Sequence, residues 1–213
     1  MRVKVTIPTS INDIKLSQYQ KFLKTTKDVD DVNWINRQSV AIFCNLPDEY
    51  VDKIRKKDYD DILNTLNKLL SEQPELELKI NYKGAKYGFI PDLENITVGE
   101  QADLETLISD WQKMDKAMAV LYRPIENEFK GRYEIAEYTS KEEPLDLPLG
   151  VVLGAYAFFL NLLNDLQSYI QNSIQQLEIQ NKYNEILAKN GDGTPISMPL
   201  HKVIYSNLKR LVS

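Results

Sequence analysis

The single cysteine and the single histidine are the side chains best suited to nucleophilic or acid–base chemistry. Cys44 ends an apolar run that begins at Ser39. Apolar surroundings raise the pKa of a thiol and suppress the reactive thiolate, so we predict a buried, unreactive Cys44. His201 is the only histidine, which excludes a metal motif with two histidines and favours a surface or helix-cap role. We predict no catalytic residue, and an enzyme built on these groups or on the aspartates is a rival hypothesis.

Acidic and basic clusters adjoin between residues 53 and 61. Asp58, Asp60 and Asp61 precede an apolar helical pattern, where acids stabilise the positive end of the helix dipole, so a helix start is favoured over a metal site. These acids can neutralise the densest basic run, and we therefore expect a solvated face. A nucleic-acid-binding internal protein is the second rival hypothesis. Its basic residues would be Lys53, Arg55, Lys56 and Lys57, with Lys202, Lys209 and Arg210 as another face.

The residues most suited to a binding surface are tyrosines near two predicted hairpins. Tyrosine is enriched at protein interfaces because it joins a large apolar area to a polar tip. Arg123, at the end of a buried-looking helix and before Pro124, can cap carbonyl groups or hold a carboxylate, and this anchoring is favoured over a binding role. Whether the tyrosines bind a partner or only edge the core is left open. The candidate partner-binding residues are Tyr82, Tyr87, Tyr122, Arg123, Tyr133 and Tyr138.

Composition predicts a folded protein without a membrane span. The 213 residues suffice for one sizeable domain or two small ones, and 43% are hydrophobic and 27% charged, as in globular proteins. A net charge of −5 disfavours nonspecific nucleic-acid binding. Residues 1–5 lack the features of a secretory signal, and the apolar stretch 150–163 is shorter than the roughly 20 residues of a membrane helix. We expect no export and no membrane contact, and no cofactor or metal is predicted.

Alternating polarity predicts the β-structure that positions the tyrosines. Residues 3–7 alternate and predict a first strand, which Pro8 ends. Residues 76–90 alternate on both sides of a Lys83-Gly84 turn and predict a hairpin, and residues 129–135 around Gly131 predict a second. We therefore expect a small antiparallel sheet. Whether the first strand belongs to it is left open.

Apolar residues at helical spacing predict that most of the chain is helical. The predicted helices cover 17–23 with Ser17 as N-cap, 34–43, a short segment from Pro47, 62–70, and segments from Glu100 that end at Pro124. One long helix, or two, is predicted from Leu149 to about Lys189. Its first half is expected to be enclosed, and Leu177, Ile179 and Ile186 are sparse apolar positions in its glutamine-rich second half. Residues 190–193 form a stop signal, and Val203, Leu208 and Leu211 predict a short terminal helix.

These elements predict an α+β, predominantly helical fold in which small hairpins accompany a helical bundle and a long C-terminal helix. Two prolines, Pro144 and Pro148, separate the mixed region from the helical one. The predicted domains are a mixed α/β domain over residues 1–143 and a helical region over residues 144–213.

Several segments together resemble a family of uncharacterised proteins encoded among the structural genes of tailed bacteriophages, including crAss-like phages of gut Bacteroidetes. The similarity covers most of the chain, and the Leu-Tyr-Arg-Pro-Ile segment is its most recognisable part. No catalytic motif accompanies it. The segments are Tyr87-Gly-Phe-Ile-Pro-Asp-Leu93, Ile96-Thr-Val-Gly-Glu100, Asp110-Trp-Gln-Lys-Met114, Met118-Ala-Val-Leu-Tyr-Arg-Pro-Ile125 and Leu147-Pro-Leu-Gly150.

The resemblance implies a noncatalytic role in virion assembly or in the particle itself, through contacts with other phage structural proteins. A head or tail component, a packaged internal protein and a tail-assembly chaperone absent from the mature virion all remain open. Self-association into a homo-oligomer is open as well. The expected location is the virion, or the host cytoplasm during assembly.

Overall fold

The computed structural model describes residues 5–92, 96–139 and 143–190. Its strands form the two predicted hairpins. Strands β1 (Lys79–Tyr82) and β2 (Ala85–Phe89) meet at Lys83-Gly84, and β3 (Tyr122–Phe129) and β4 (Arg132–Ile135) meet at Lys130-Gly131. All four turn residues have a positive φ, between 49° and 83°. This left-handed pair is the geometry of a two-residue hairpin turn whose twist matches that of the strands.

The hairpins join into one antiparallel sheet with the strand order β1-β2-β3-β4. Strands β2 and β3 are in register with Gly88 opposite Arg123 and Phe89 opposite Tyr122. The first strand predicted over residues 3–7 does not join this sheet. Residues 5–7 carry no strand pairing, because Val5 packs against the helical core, and residues 1–4 lie outside the described residues.

Helices make up most of the described chain, so the predicted α+β, mainly helical fold class is confirmed. Two differences concern helix ends. Ser17 is not an N-cap, since that position belongs to Lys15 and the Ser17 hydroxyl donates to Asp146 at 3.0 Å. The helices are α1 (Leu16–Thr26), α2 (Val32–Phe43), α3 (Asp48–Val51), α4 (Lys56–Leu70), α5 (Val98–Leu107), α6 (Met114–Leu121) and α7 (Leu149–Asn190), with short 3-10 helices at Ile11–Asp13 and Trp111–Lys113.

The second difference is the end of α6. We predicted that Pro124 ends this helix, but the helix ends at Leu121, and Tyr122 already has extended backbone angles. A residue that precedes proline avoids the α conformation, which places Arg123 in β3 rather than at a helix end. The Arg123 side chain therefore lies on the sheet.

The apolar positions of the helical patterns converge in one core. Val40, Phe43 and Leu66 are almost completely buried there, and Leu149, at the start of α7, joins them. Helix α2 packs against both α1 and α4, which matches the broad apolar stretch at the end of α2. Cys44 lies in this core with 2% of its surface exposed.

The start of α7 is held by close backbone contacts. The Leu149 N–H donates to the carbonyl of Ile14 at 2.7 Å, one residue after the bridge between Lys15 and Pro148. A Cβ atom added at Gly154 would lie 2.3 Å from the carbonyl oxygen of Glu75. Only glycine fits there without moving the backbone, so Gly154 allows the helix and residue 75 to approach each other.

The chain forms two compact units, residues 1–158 and 159–213. The predicted domains were residues 1–143 and 144–213, so residues 144–158 belong to the first unit. Burial explains this, because Leu145, Leu147 and the first turns of α7 are buried. The stop signal at 191–193 and the predicted terminal helix lie outside the described residues. Within the described chain, no helix combines the length and apolar character of a membrane-spanning segment.

Candidate partner-binding surfaces

A buried ion pair links α5 to the sheet. Arg123 Nη2 lies 2.6 Å from Glu100 Oε1, and the two side chains are only 7% and 5% exposed. Glu100 also caps its own helix, because its Oε2 accepts the Thr97 N–H at 2.6 Å while Thr97 Oγ1 accepts the Glu100 N–H at 3.2 Å. One carboxylate thus fixes the start of α5 and holds the guanidinium. The sequence left Arg123 between capping carbonyl groups and holding a carboxylate, and the structure shows the second. Glu100 was not named, although Thr97-x-x-Glu100 has the spacing of a capping box.

The charges of this pair depend on each other. Burial alone would raise the pKa of Glu100, but hydrogen bonds from Thr97 and the Arg123 guanidinium outweigh it and hold that pKa below its usual value. Arg123 Nε is buried and has no hydrogen-bond partner. The Tyr138 ring centroid lies 6.0 Å from the guanidinium carbon. Removing either partner should strongly destabilise the fold, because the remaining charge would be buried without compensation.

The Tyr133 side chain reaches from β4 across the sheet to the backbone at the end of β2 and just before β1. Its hydroxyl lies 2.7 Å from the Phe89 carbonyl oxygen and 3.1 Å from that of Leu78. The ring passes over Gly88, where an added Cβ would lie 2.3 Å from Tyr133 Cε2. Gly88 was not singled out from the sequence, because its role depends on how closely β4 approaches β2 in the folded sheet.

The other candidate tyrosines also make internal contacts. Tyr122 is fully buried and donates to the Glu77 carbonyl at 2.8 Å, and its burial raises the pKa of the phenol. Tyr82 accepts the Asp146 N–H at 3.2 Å and packs edge-on against Tyr87 with ring centroids 5.7 Å apart. The Tyr138 hydroxyl bonds to Asp103. The structure brings Arg123, Tyr133 and Tyr138 together and Tyr82 and Tyr87 together, while partner binding by these six residues stays a prediction.

A pocket of about 270 Å³ lies beside the ion pair. Its walls include Ile90, Pro91 and Tyr133, and its charged side chains are Arg123, Asp92, Glu100 and Glu134. Three carboxylates face one guanidinium, so the local field disfavours phosphate and other anions. The pocket is therefore a poor candidate for a nucleotide site.

A larger groove of about 440 Å³ lies between α2, α3 and α4. Trp34, Arg37 and Tyr59 line it, and these three residue types dominate binding energy at many protein interfaces. Arg37 is itself held by Asp48 at 2.9 Å and by Asp52. Only packing of the helices brings residues 34, 37 and 59 together, so sequence spacing could not identify the groove.

Three cations of the basic run at the start of α4 contact nearby side chains. Arg55 pairs with Asp58 at 2.8 Å, and Lys56 pairs with Asp60 at 2.6 Å. Lys53 lies 4.4 Å from the centre of the Tyr50 ring. These contacts satisfy the cations locally and weaken the case for a phosphate-binding face.

The described residues considered for catalysis or metal binding do not form a reactive site. Cys44 is buried, and its burial raises the pKa of the thiol to about 11, which keeps it protonated at neutral pH. His201 lies outside the described residues. Among residues 5–92, 96–139 and 143–190, no three His, Cys, Asp or Glu side chains are grouped so that they could hold a metal ion.

Beyond Phe159, helix α7 exposes large apolar side chains. Leu160, Ile174 and Leu177 are 43%, 52% and 45% exposed, and we call these three residues the apolar helix face. Ile179 is 62% exposed and lies about 170° around the helix from the centre of positions 174 and 177, at about 100° per residue. Leu177 and Ile179 are among the apolar positions expected from the sequence, whereas Ile174 is not. Its spacing from Leu160 and Leu177 was the available signal.

Comparison with known proteins adds no functional assignment. No protein-family model, no curated protein and no solved structure matches the chain. The surfaces described above therefore rest on the geometry of this chain, and the resemblance to a phage protein family stays a prediction.

Proposed function

We propose that this protein is a noncatalytic component of bacteriophage morphogenesis that acts through protein–protein contacts. The observation that carries the proposal is the apolar helix face. Three aliphatic side chains, each more than two-fifths exposed, lie on one side of α7. A partner that covers exposed apolar area removes it from water, and this stabilises the complex by about 25 cal/mol per Å².

Two further observations support contacts rather than catalysis or nucleic-acid binding. Cys44 is buried as a thiol, so it lacks the thiolate that nucleophilic catalysis needs. Arg55 and Lys56 are paired with aspartates, and the chain is acidic as a whole. The link to phage assembly rests on the family resemblance of the sequence.

Photo-crosslinking in infected cells tests the proposed contact surface. A crosslinking amino acid placed at position 177 should capture a phage-encoded protein, identified by mass spectrometry, which is either this chain or another structural protein. Position 179 is the matched control, because Ile179 is also an exposed aliphatic residue but faces the other way. The proposal fails if position 177 captures no phage-encoded protein and phage carrying Ile174→Glu assemble normally.

Quantitative mass spectrometry of gradient-purified particles then separates the two forms of the proposal. Stoichiometric presence in particles would identify a virion component of the head, the tail or the packaged interior. Absence from particles, despite clear expression in the infected cell, would identify an assembly chaperone. A protein absent from the phage-producing cell altogether would contradict both forms.

A further inference from the structure

The pocket beside the Arg123–Glu100 ion pair contains a hydrogen-bond donor that the fold leaves without a partner. The Arg123 side chain lines this pocket and is only 7% exposed, and its Nε is buried and forms no hydrogen bond. A buried donor without an acceptor destabilises a protein, because it has lost its hydrogen bonds to water. An acceptor that enters the pocket would remove this cost.

Glu100 is placed to supply that acceptor but does not. In a guanidinium, the Nε–H and one N–H of Nη2 lie on the same edge, which a carboxylate can bind with both of its oxygens. Glu100 Oε1 lies 2.6 Å from Arg123 Nη2, but Oε2 accepts the Thr97 N–H at 2.6 Å. The capping box of α5 thus takes the second oxygen, and Arg123 Nε is left beside Glu100 in the pocket wall.

The charges around the pocket decide which acceptor can enter it. Asp92, Glu100 and Glu134 carry three carboxylates against one guanidinium, so a carboxylate or phosphate ligand is repelled. An ammonium ligand is attracted to the carboxylates but has no lone pair to accept the Nε–H. The matching ligand is therefore uncharged and carries an oxygen acceptor.

We propose that this pocket binds an uncharged carboxamide. The carboxamide oxygen accepts the Nε–H of buried Arg123, and the carboxamide nitrogen donates to Glu134, an exposed carboxylate of the same pocket. Glu134 Oε2 already accepts from Asn127 Nδ2 at 3.0 Å, and a carboxylate has lone pairs for further donors. A hydroxyl group fits less well, because a single oxygen atom cannot reach a buried nitrogen and an exposed carboxylate together.

The walls and the size of the pocket restrict the rest of the ligand. Ile90, Pro91, Ile96 and Ile135 give it apolar walls. Its volume of about 270 Å³ lies below the roughly 300–1,000 Å³ of pockets for drug-sized molecules. The body attached to the carboxamide is therefore small and apolar, such as one aromatic ring or the stem of a glutamine side chain. The inference does not rest on the proposed function, since the pocket and the apolar helix face share no residue.

Proton–nitrogen NMR of the arginine Nε–H groups in the full chain tests the site, with benzamide as the probe. The Arg123 Nε–H signal should shift and saturate with a Kd of about 1 mM, as expected for so small a ligand. Arg37 Nε already donates to Asp48 at 2.9 Å, so its signal should stay in place and is the internal control. Benzoate and benzamidine share the shape of benzamide but are charged, and each should bind at least about tenfold more weakly.

A matched pair of variants tests the second contact. Glu134→Ala should weaken benzamide binding about tenfold, because it removes the carboxylate that accepts from the carboxamide nitrogen. Glu126→Ala removes an exposed carboxylate of the same sheet that does not line the pocket, and should bind like wild type. Both positions are exposed, and the backbone amide spectrum checks that both variants fold.

An Arg123 Nε–H signal that does not respond to benzamide would overturn the inference, and the backbone amide signals of Ile96 and Ile135 give the same binding curve independently. Equal binding of benzoate, benzamidine or benzyl alcohol would also overturn it, as would equal losses in the two variants. Glutamine blocked at both ends, with blocked glutamate as control, identifies the source. Selective binding of blocked glutamine indicates an amide side chain of a partner protein, and binding of benzamide alone indicates a free amide. Failure of every probe leaves the proposed function standing.

Discussion

Residues 5–158 bury most of their large apolar side chains, with Val98 and Phe129 among the exceptions, whereas the large apolar side chains that the structure describes from Leu160 to Ile179 are exposed. In the first region, Phe43, Leu66 and Leu149 are almost completely buried, and even the Arg123–Glu100 ion pair is taken into the interior. In the second region, Ile174 and Leu177 are about half exposed. The two regions share helix α7. Burial therefore depends on what packs against each turn of that helix, not on its local apolar content alone.

The comparison predicts that substitutions in the first region cost stability, whereas substitutions in the second cost association. The largest loss is expected for Glu100→Gln, which keeps the size of the side chain but leaves the Arg123 charge buried without its partner. Breaking a buried pair in this way costs about 3 kcal/mol of unfolding free energy. Urea denaturation monitored by circular dichroism measures it.

The control for that prediction is the double variant Glu100→Gln/Arg123→Met. Removing both charges also removes the uncompensated guanidinium and its unpartnered Nε, so the double variant should recover most of the lost stability. The single variant Arg123→Met completes the cycle. If the loss of unfolding free energy in the double variant equals the sum of the losses in Glu100→Gln and Arg123→Met, the two charges do not interact in the way the structure indicates.

A smaller loss is expected for Gly154→Ala. The added methyl group would lie 2.3 Å from the Glu75 carbonyl oxygen, which is backbone and cannot turn aside. The strain should exceed the roughly 1 kcal/mol gained from replacing a helical glycine, for a net loss of about 2 kcal/mol in thermal or chemical denaturation.

Gly150→Ala is the matched control in the same helix. Its added Cβ would meet the Asn12 side-chain oxygen at 2.2 Å and the Ile11 Cγ2 methyl group at 2.9 Å. The Asn12 side chain can rotate away and Ile11 must shift by only a few tenths of an ångström, since neither atom belongs to the backbone. The net change should be less than about 1 kcal/mol. If Gly150→Ala and Gly154→Ala lose equal unfolding free energy, the close approach of the Glu75 backbone is not what requires glycine at position 154.

Acid should weaken the first region through Glu100. Its pKa in the folded protein lies below the ordinary value of 4.5, so its contribution to stability is present above that value and is lost as the pH falls through the folded-state pKa. The difference in unfolding free energy between wild type and Glu100→Gln should therefore narrow below about pH 4.5. A gap that stays constant down to the acid transition would show that the Glu100 charge is not its source.

The smallest effect is expected at Ile179, in the second region. Ile179→Gln removes an exposed aliphatic side chain that lies outside the apolar helix face, so the unfolding free energy should stay within about 0.5 kcal/mol of wild type. Thermal denaturation at low protein concentration measures it. A loss as large as that of Gly154→Ala would mean that Ile179 is packed in the folded protein, and the contrast between the two regions would not hold.

Local pattern located most elements of this fold. The positions of both hairpins followed from alternation and from turn glycines. The long stretch without proline predicted helix where α7 lies, but not whether it is one helix or two. Errors arose where a neighbour overrides the local pattern. Residues 5–7 alternate in polarity without pairing in the sheet, and Tyr122 and Arg123 continue a helical pattern but belong to β3, where Pro124 and pairing with β2 favour extended backbone.

The sequence by itself determined which side chains were available: one cysteine in an apolar run, twelve tyrosines and an arginine that needs an anion. Only the tertiary structure decided that Glu100 supplies this anion from 23 residues away, that Tyr133 rests on Gly88, and that Trp34, Arg37 and Tyr59 share a groove. Periodicity reports which face of an element is apolar. It carries no information about which distant residue lies opposite, because chain packing sets those contacts.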